Sequence, residues 1–180
     1  MSADNQQERH KNLHPWYITG FVEGEGSFHI ALHHDARMKQ QVKIIPEFRI
    51  NQPFSRIEII QDIQKYFECG NIRENHVQRK TDHTYVYVVR NRKDLIQKII
   101  PFFRKYPMRS KKQYSFNLFA KVVEEMMFQG RHKMKSEILQ IIDYAYRMNE
   151  NGKYRRKAQA CLLDSLESSE TIRRNLFKKR

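Results

Sequence analysis

The spacing of hydrophobic residues changes from helical to alternating twice along the chain. Helical spacing in residues 16–25 gives way to alternation in residues 27–50, and helical spacing in 55–67 gives way to alternation in 71–90. A polar stretch divides each alternating region and predicts a hairpin loop there. The order helix, two strands, helix, two strands predicts an α+β fold: helices cover one face of a four-stranded antiparallel sheet, and the other face stays open.

Local signals refine this outline. Pro15 suits the first turn of a helix, and Pro46 predicts that the second strand lies at an edge or carries a bulge. Gly70 is expected to end the second helix. Three further helices follow the second pair of strands; they are predicted at residues 94–104, 111–128 and 133–148.

The spacing indicates a single domain with two terminal extensions. We predict a flexible N-terminus at 1–12, a folded domain at 13–150 and a basic tail with a short helix at 151–180. The tail could be an arm that contacts phosphates or a solvated extension, and both interpretations remain open.

Composition favours a polyanionic partner. Lys and Arg number 34 against 20 Asp and Glu, for a net charge of +14, and such an excess attracts nucleic acid by releasing condensed counterions. A basic ribosome-associated protein is the alternative. The two cysteines have no zinc-ligand spacing, and we expect no disulfide. The sequence lacks an apolar run long enough for a membrane span or signal peptide. We therefore expect a soluble intracellular protein, in either a prokaryotic cytoplasm or an organelle.

The open face of the predicted sheet carries long hydrogen-bonding side chains. Such side chains suit base edges and phosphates, and a twisted two-stranded ribbon fits the major groove of DNA. A plain solvated sheet face is the alternative. The predicted DNA-contacting residues are Ser27, His29, His33, Lys43, Glu47, Arg49, Asn71, Arg73, Asn75, Tyr85 and Tyr87.

Two glycines in the first helix require an explanation. Gly20 and Gly24 are four residues apart and share one helical face. A glycine inside a helix costs roughly 1 kcal/mol relative to alanine. The close approach of a second helix backbone would account for both. The alternative is that the glycines around Gly24 and Gly26 serve only the turn into the first strand.

Two carboxylates follow at the end of the same helix, where the helix dipole disfavours negative charge. Glu23 and Glu25 would be stabilised there by a bound cation. If the same helix of a second copy packs against Gly20 and Gly24, symmetry brings two equivalent carboxylates together, which is unfavourable without metal ions between them. Oxygen ligands in that setting suit Mg²⁺.

Residues 18–28, ITGFVEGEGSF, resemble the LAGLIDADG motif of homing endonucleases. The resemblance extends along most of the chain to single-motif endonucleases of algal group I introns. It includes residues 48–52 with Arg56, Pro101 and Phe102 followed by Lys111 and Lys112, and the C-terminal segment 160–166. It implies the αββαββα fold with a four-stranded DNA-binding sheet and C-terminal helices.

The resemblance also implies roles for the motif residues. Glu25 matches the metal-binding carboxylate, and Gly24 would offer its backbone carbonyl. Gly20, Phe21 and Gly24 match the contact between the motif helices of two subunits. Two departures occur: many relatives have Asp at the position of Glu25, and Thr19 replaces a usual Ala. The longer glutamate leaves the metal geometry open.

Three further positions match catalytic residues of the family. Gln52 and Arg56 match polar residues that organise solvent around the scissile phosphate, although Gln52 could instead cap the strand end. Lys111 or Lys112 matches a lysine that stabilises developing charge. The spacing does not distinguish between the two, and a phosphate contact without a catalytic role is the alternative for both.

Only one copy of the motif occurs, so the resemblance implies a homodimer and a near-palindromic double-stranded DNA target. Our first hypothesis is an endonuclease that depends on Mg²⁺, or on another divalent cation such as Mn²⁺ or Ca²⁺, and cuts both strands to leave 3′ overhangs. The alternative is an inactive nucleic-acid binder or an intron maturase, for which intron RNA would be a partner.

Overall fold

The computed structural model describes residues 13–35, 37, 42–75, 83–128 and 135–148. The predictions for the N-terminus 1–12, most of both hairpin loops and the basic tail lie outside these residues. The described helices and strands follow the predicted order. They are α1 (Pro15–Glu25), β1 (Gly26–His34), β2 (Val42–Pro53), a 3-10 turn (Phe54–Arg56), α2 (Ile57–Phe67), β3 (Asn71–Glu74), β4 (Thr84–Val89), α4 (Lys112–Phe128) and α5 (Lys135–Arg147), with α3 formed by the consecutive segments Arg92–Asp94, Leu95–Ile99 and Ile100–Lys105.

The four strands form one antiparallel sheet in the order β1-β2-β4-β3. The described helices pack against one face of this sheet, and the predicted α+β architecture is confirmed. Aromatic side chains fill the space between sheet and helices. Phe28 of β1 lies with its ring centroid 5.3 Å from that of Phe48, 5.4 Å from that of Phe103 and 5.1 Å from that of Phe116. Burial of these rings is the main source of stability.

Pro46 lies where only one neighbouring strand is present. It pairs with Ile30 of β1, whereas β4 pairs with β2 only from Phe48 to Pro53. β2 is a central strand over part of its length and an edge over the rest. The missing N–H of proline is therefore tolerated, as the sequence predicted.

Two helix ends differ from expectation. α2 ends at Phe67, and the residue that caps it is Glu68, a non-glycine residue in the left-handed region with φ of 49°, rather than Gly70. Gly70 has φ of +77° and packs so closely that a Cβ would lie 2.7 Å from the Tyr87 ring. In α3 a π-helical turn precedes Pro101, with the Ile100 N–H donating to the Leu95 carbonyl, because proline cannot donate in the regular pattern. Within the described ranges, no helix is both long and apolar enough to cross a membrane.

Candidate functional site

The motif helix α1 has one buried face and one exposed face. Ile18 and Val22 are fully buried in the core. On the opposite face, Gly20 and Gly24 are exposed, and a Cβ built on either would meet no atom of the described residues within 4 Å. The packing of the described part of this protomer therefore gives no reason for either glycine. Gly26 is different, because a Cβ there would lie 2.6 Å from the Val22 side chain.

The exposed face of α1 is also apolar. Trp16 and Tyr17 remain 47% and 51% exposed, which is high for large aromatic residues. Tyr17 stacks on the half-buried Phe21 with a centroid distance of 6.2 Å. Together with Gly20 and Gly24, these rings form an apolar strip on the surface of α1, and such a strip is typical of a surface that packs against another helix.

The two motif carboxylates have different surroundings. Oε1 of Glu23 accepts a hydrogen bond of 2.7 Å from the Arg109 N–H and a second, short one from the Ser110 N–H. These backbone donors lower the pKa of Glu23 below its ordinary value. Glu23 therefore anchors the chain just before α4. Glu25 is exposed at the end of α1, which leaves its carboxylate accessible to a ligand.

Lys112 is the lysine that reaches the motif. Its Nζ donates to the Val22 carbonyl at 2.9 Å and to the Gly26 carbonyl at 2.6 Å. A cation is favourable at this helix C-terminus. Burial lowers the pKa of Lys112, and the nearby Glu23 and Glu25 charges partly oppose that shift. Lys111 is exposed at the start of α4, so the structure brings only Lys112 to the end of α1.

Thr19 has a structural reason for replacing the usual alanine. It is buried, and its hydroxyl donates to the Tyr106 carbonyl at 3.0 Å. This bond ties α1 to the segment that follows α3. A buried carbonyl without a partner would be costly, so the hydroxyl contributes to stability.

Gln52 is buried, whereas Arg56 is exposed. Because Gly26 pairs with Ile50, Gln52 stands two residues further along β2, level with the end of α1. Gln52 is buried, and its Oε1 has no hydrogen-bond partner among the described residues. Arg56 ends the exposed 3-10 turn that follows β2.

The donor set at the end of α1 fits a hard divalent cation. The exposed Glu25 carboxylate and the Gly24 carbonyl in the last turn of the helix are oxygen donors of the kind that such a cation prefers. Gln52 of the neighbouring strand β2 carries a buried amide oxygen that has no hydrogen-bond partner among the described residues. In the described part of the chain, no three His, Cys, Asp or Glu residues cluster as a metal site.

The register of the sheet places most of the predicted DNA-contacting residues on the open face. Ser27 pairs with Arg49, His29 with Glu47 and His33 with Lys43, so each pair projects to the same side. On β3, Asn71 and Arg73 project to that side as well. Five of these residues are exposed: Ser27, His33, Lys43, Asn71 and Arg73.

The prediction that Tyr85 and Tyr87 lie on the open face was wrong. Tyr87 pairs with Ile50 and Tyr85 with Gln52, which puts both rings on the face covered by helices. Tyr87 is fully buried, and its hydroxyl donates to the Cys69 carbonyl at 3.0 Å. Burial raises the pKa of Tyr87. Val86 and Val88 occupy the open-face positions of β4 instead, so both faces of that strand carry apolar side chains.

Glu47 is on the open face as predicted, but it is not available to DNA. Its side chain is only 5% exposed and forms ion pairs with Arg90 at 2.6 Å and Arg49 at 3.6 Å. Nη2 of Arg49 also donates to Asn75 Oδ1 at 3.1 Å.

Sequence reasoning missed Arg90 and Asn51. Arg90 directly follows β4, in register with Glu47 on the open face, while Asn51 is exposed beside Val86 on that face. The two-residue alternation of β2, extended past Arg49, would have found Asn51, whereas Arg90 follows only from the register of β4 with β2.

Comparison with known proteins gives a consistent result. A model of the LAGLIDADG endonuclease family matches residues 18–123, which is more than half of the chain. DNA endonuclease I-CeuI of Chlamydomonas moewusii is 26% identical over 133 residues, covering 71% of this chain and 60% of the relative. The chain therefore spans less than two thirds of that relative's length.

Two solved structures are similar in fold. The crystal structure of the homing endonuclease I-TnaI has a TM-score of 0.72 and 32% sequence identity, and the match covers 88% of this chain and 99% of that one. I-SmaMI bound to its uncleaved DNA target in the presence of calcium ions also has a TM-score of 0.72. At 23% identity, and with 82% of this chain and 48% of that chain covered, it shows the fold alone.

Proposed function

Because the chain belongs to the LAGLIDADG endonuclease family, we propose that it is a homing endonuclease that cuts both strands of a long, near-palindromic DNA target and leaves 3′ overhangs. The observation that carries this proposal is the end of α1, where the exposed Glu25 carboxylate lies beside the partly buried Lys112 ammonium. A module that only binds DNA needs neither.

We propose that two copies associate through the exposed strip of α1. The strip is apolar and contains two glycines that the protomer itself does not need. Two-fold symmetry would bring the two Glu25 carboxylates close together and would give the target its near-palindromic form. The similarity to DNA endonuclease I-CeuI supports DNA as the ligand.

Glu25, Gly24 and Gln52 are the residues that would hold a divalent cation, Mg²⁺ in the first instance. A bound cation of this kind supplies an activated water and neutralises charge on the leaving oxygen. The calcium-containing structure of I-SmaMI is in keeping with such a site. The role of the chain is to fix these oxygen donors at the end of a rigid helix.

Lys112 would place positive charge next to the scissile phosphate. An ammonium has three N–H donors, and two of them are already engaged by the carbonyls of Val22 and Gly26. The third can donate to a phosphate oxygen or to water. This preorganisation is what stabilises developing negative charge in a transition state. Arg56, on its exposed turn, would add a phosphate contact.

The open sheet face would lie in the major groove. We propose contacts from Ser27, His29, His33, Lys43 and the β3 residues, with Asn51 added and Tyr85 and Tyr87 removed. Phosphate contacts would set the affinity, and the base contacts would set the specificity.

The test is a search for sequence-specific cleavage. Purified protein is incubated with a randomised duplex library, with Mg²⁺ or with EDTA, and the cut ends are sequenced. We expect metal-dependent ends at one near-palindromic sequence. Glu25→Gln should abolish cutting and retain binding, whereas Glu58→Gln, a matched change at an exposed site on α2, should leave both unaltered. Retention of DNA by the unmodified protein without any cutting would favour the binder or maturase alternative.

A further inference from the structure

A carboxylate lies in the middle of the face that we propose to meet DNA. Glu47 on β2 is almost completely buried, with 5% of its side chain exposed. Burial of an ionised carboxylate is unfavourable unless partners compensate for the lost hydration. Facing a polyanion adds repulsion. Glu47 therefore needs a role that outweighs both costs.

The two arginines that pair with Glu47 differ in which of their guanidinium nitrogens contact other groups of the protein. Nη1 of Arg49 lies 3.6 Å from Glu47 Oε2, and Nη2 of Arg49 donates to Asn75 at 3.1 Å. Both terminal nitrogens of Arg49 thus have partners within the protein, and its side chain is only 26% exposed. Arg49 acts as a brace across the sheet rather than as a free contact.

Arg90 is held in a different way. It approaches Glu47 through Nε, which lies 2.6 Å from Oε1, and its side chain is 48% exposed. The edge formed by Nη1 and Nη2 is not the edge that meets the carboxylate. Two parallel N–H donors on that edge match the O6 and N7 acceptors of guanine in the major groove.

We infer that Arg90 reads a guanine in each half of the DNA target and that Glu47 is the residue that positions it. The inference rests on the proposed function. Because Arg90 is restrained before it meets DNA, little rotamer freedom is lost on binding. Arg49 and Asn75 keep Glu47 in place from the other side.

The symmetry of the proposed dimer makes the inference specific. Each protomer carries one Arg90, so the guanines must appear at two positions related by the two-fold axis of the target. A guanine preference at a position that has no symmetry-related counterpart in the other half of the target could not come from Arg90.

The experiment uses the full chain and the target found with the randomised library. Dissociation constants are measured in EDTA for the four base pairs at each position, with the unmodified protein and with Arg90→Gln. We expect the variant to lose guanine discrimination at one symmetric pair of positions, by about 5- to 150-fold, and to retain it elsewhere. Arg147→Gln, the same charge change at a half-exposed, ion-paired arginine of α5, should leave that pair of positions unaltered.

Base analogues identify the contacted atoms. Replacing the guanine by 7-deazaguanine removes N7 and should weaken binding by the unmodified protein. The same replacement should not change the affinity of the Arg90→Gln variant. Inosine keeps O6 and N7 and lacks only the minor-groove amino group, so it should bind as guanine does. Sensitivity to inosine together with indifference to 7-deazaguanine would overturn the inference.

The positioning role of Glu47 is tested by non-additivity. Glu47→Gln keeps the shape of the side chain and removes its charge, and it should reduce discrimination at the same two positions only. Adding Glu47→Gln to Arg90→Gln should then cost no further discrimination there. If the unmodified protein recognises a defined target and Arg90→Gln retains every base preference, the inference about Arg90 is wrong and the proposed function still stands. If the unmodified protein recognises no defined target, the proposed function fails with it.

Discussion

Replacing Gly20 by alanine should separate the stability of the folded protomer from its self-association. Gly20 lies inside α1, so alanine should stabilise the helix by about 1 kcal/mol. The added Cβ meets no atom within 4 Å in the protomer and causes no clash there. Across a close helix–helix contact, the same methyl overpacks the interface, typically by about 1–3 kcal/mol. The dissociation constant of the dimer should therefore rise about 5- to 150-fold.

The two effects have opposite signs and can be measured separately. Sedimentation velocity over a range of concentrations gives the dimer dissociation constant, and urea unfolding at concentrations where the chain is monomeric gives protomer stability. Gly26→Ala is the matched control, because its Cβ would lie 2.6 Å from the Val22 side chain and should destabilise the protomer directly. Unchanged self-association of Gly20→Ala would refute the assignment of this face to the dimer contact.

Three further outcomes follow from the contacts around the motif. Lys112→Met should slow cleavage by about a hundredfold or more, the usual effect of removing a preorganised donor, whereas Lys111→Met should retain cutting. Because burial holds the pKa of Lys112 below its ordinary 10.5, the cleavage rate should decline with rising pH earlier than a solvated lysine would require, as a pH–rate profile can show. The pKa of Glu23 lies below its ordinary 4.5, so its contribution to stability is complete above that pH and is lost as pH falls through the lower folded value. Urea midpoints of Glu23→Gln should therefore vary less with pH in this acidic range than those of the unmodified chain.

Residue spacing located the elements well because burial on one face imposes a period on the sequence. Helix α1 was predicted at 16–25 and is observed at Pro15–Glu25, and the helix predicted at 111–128 is observed at Lys112–Phe128. The same logic fails where both faces of a strand are apolar. β4 has tyrosine and valine at alternate positions, and nothing in the strand itself says which set faces the helices. The register with β2 decides, and the register is a tertiary property.

Functional assignments met the same limit. Lys111 and Lys112 are adjacent in the sequence, but consecutive residues point about 100° apart around a helix. Lys112 therefore contacts the end of α1, whereas Lys111 is exposed to solvent, and the sequence alone could not distinguish them. Likewise, Glu47 was correctly placed on the open face, but its ion pair with Arg90 could not be predicted, because Arg90 is 43 residues later in the chain and adjacent only because β2 and β4 are neighbours in the sheet.

The acidic end of the motif and the start of α4 form one structural unit. Glu23 accepts N–H groups from the residues just before α4, and Lys112 at the start of α4 donates to the carbonyls of Val22 and Gly26. The contacts run in both directions, so neither segment can shift without breaking the other's hydrogen bonds. Glu25 is the acidic residue of the motif that this arrangement leaves unused. Under the proposed function the two carboxylates have separate roles: Glu23 holds the lysine-bearing helix in position, and the exposed Glu25 would bind the cation.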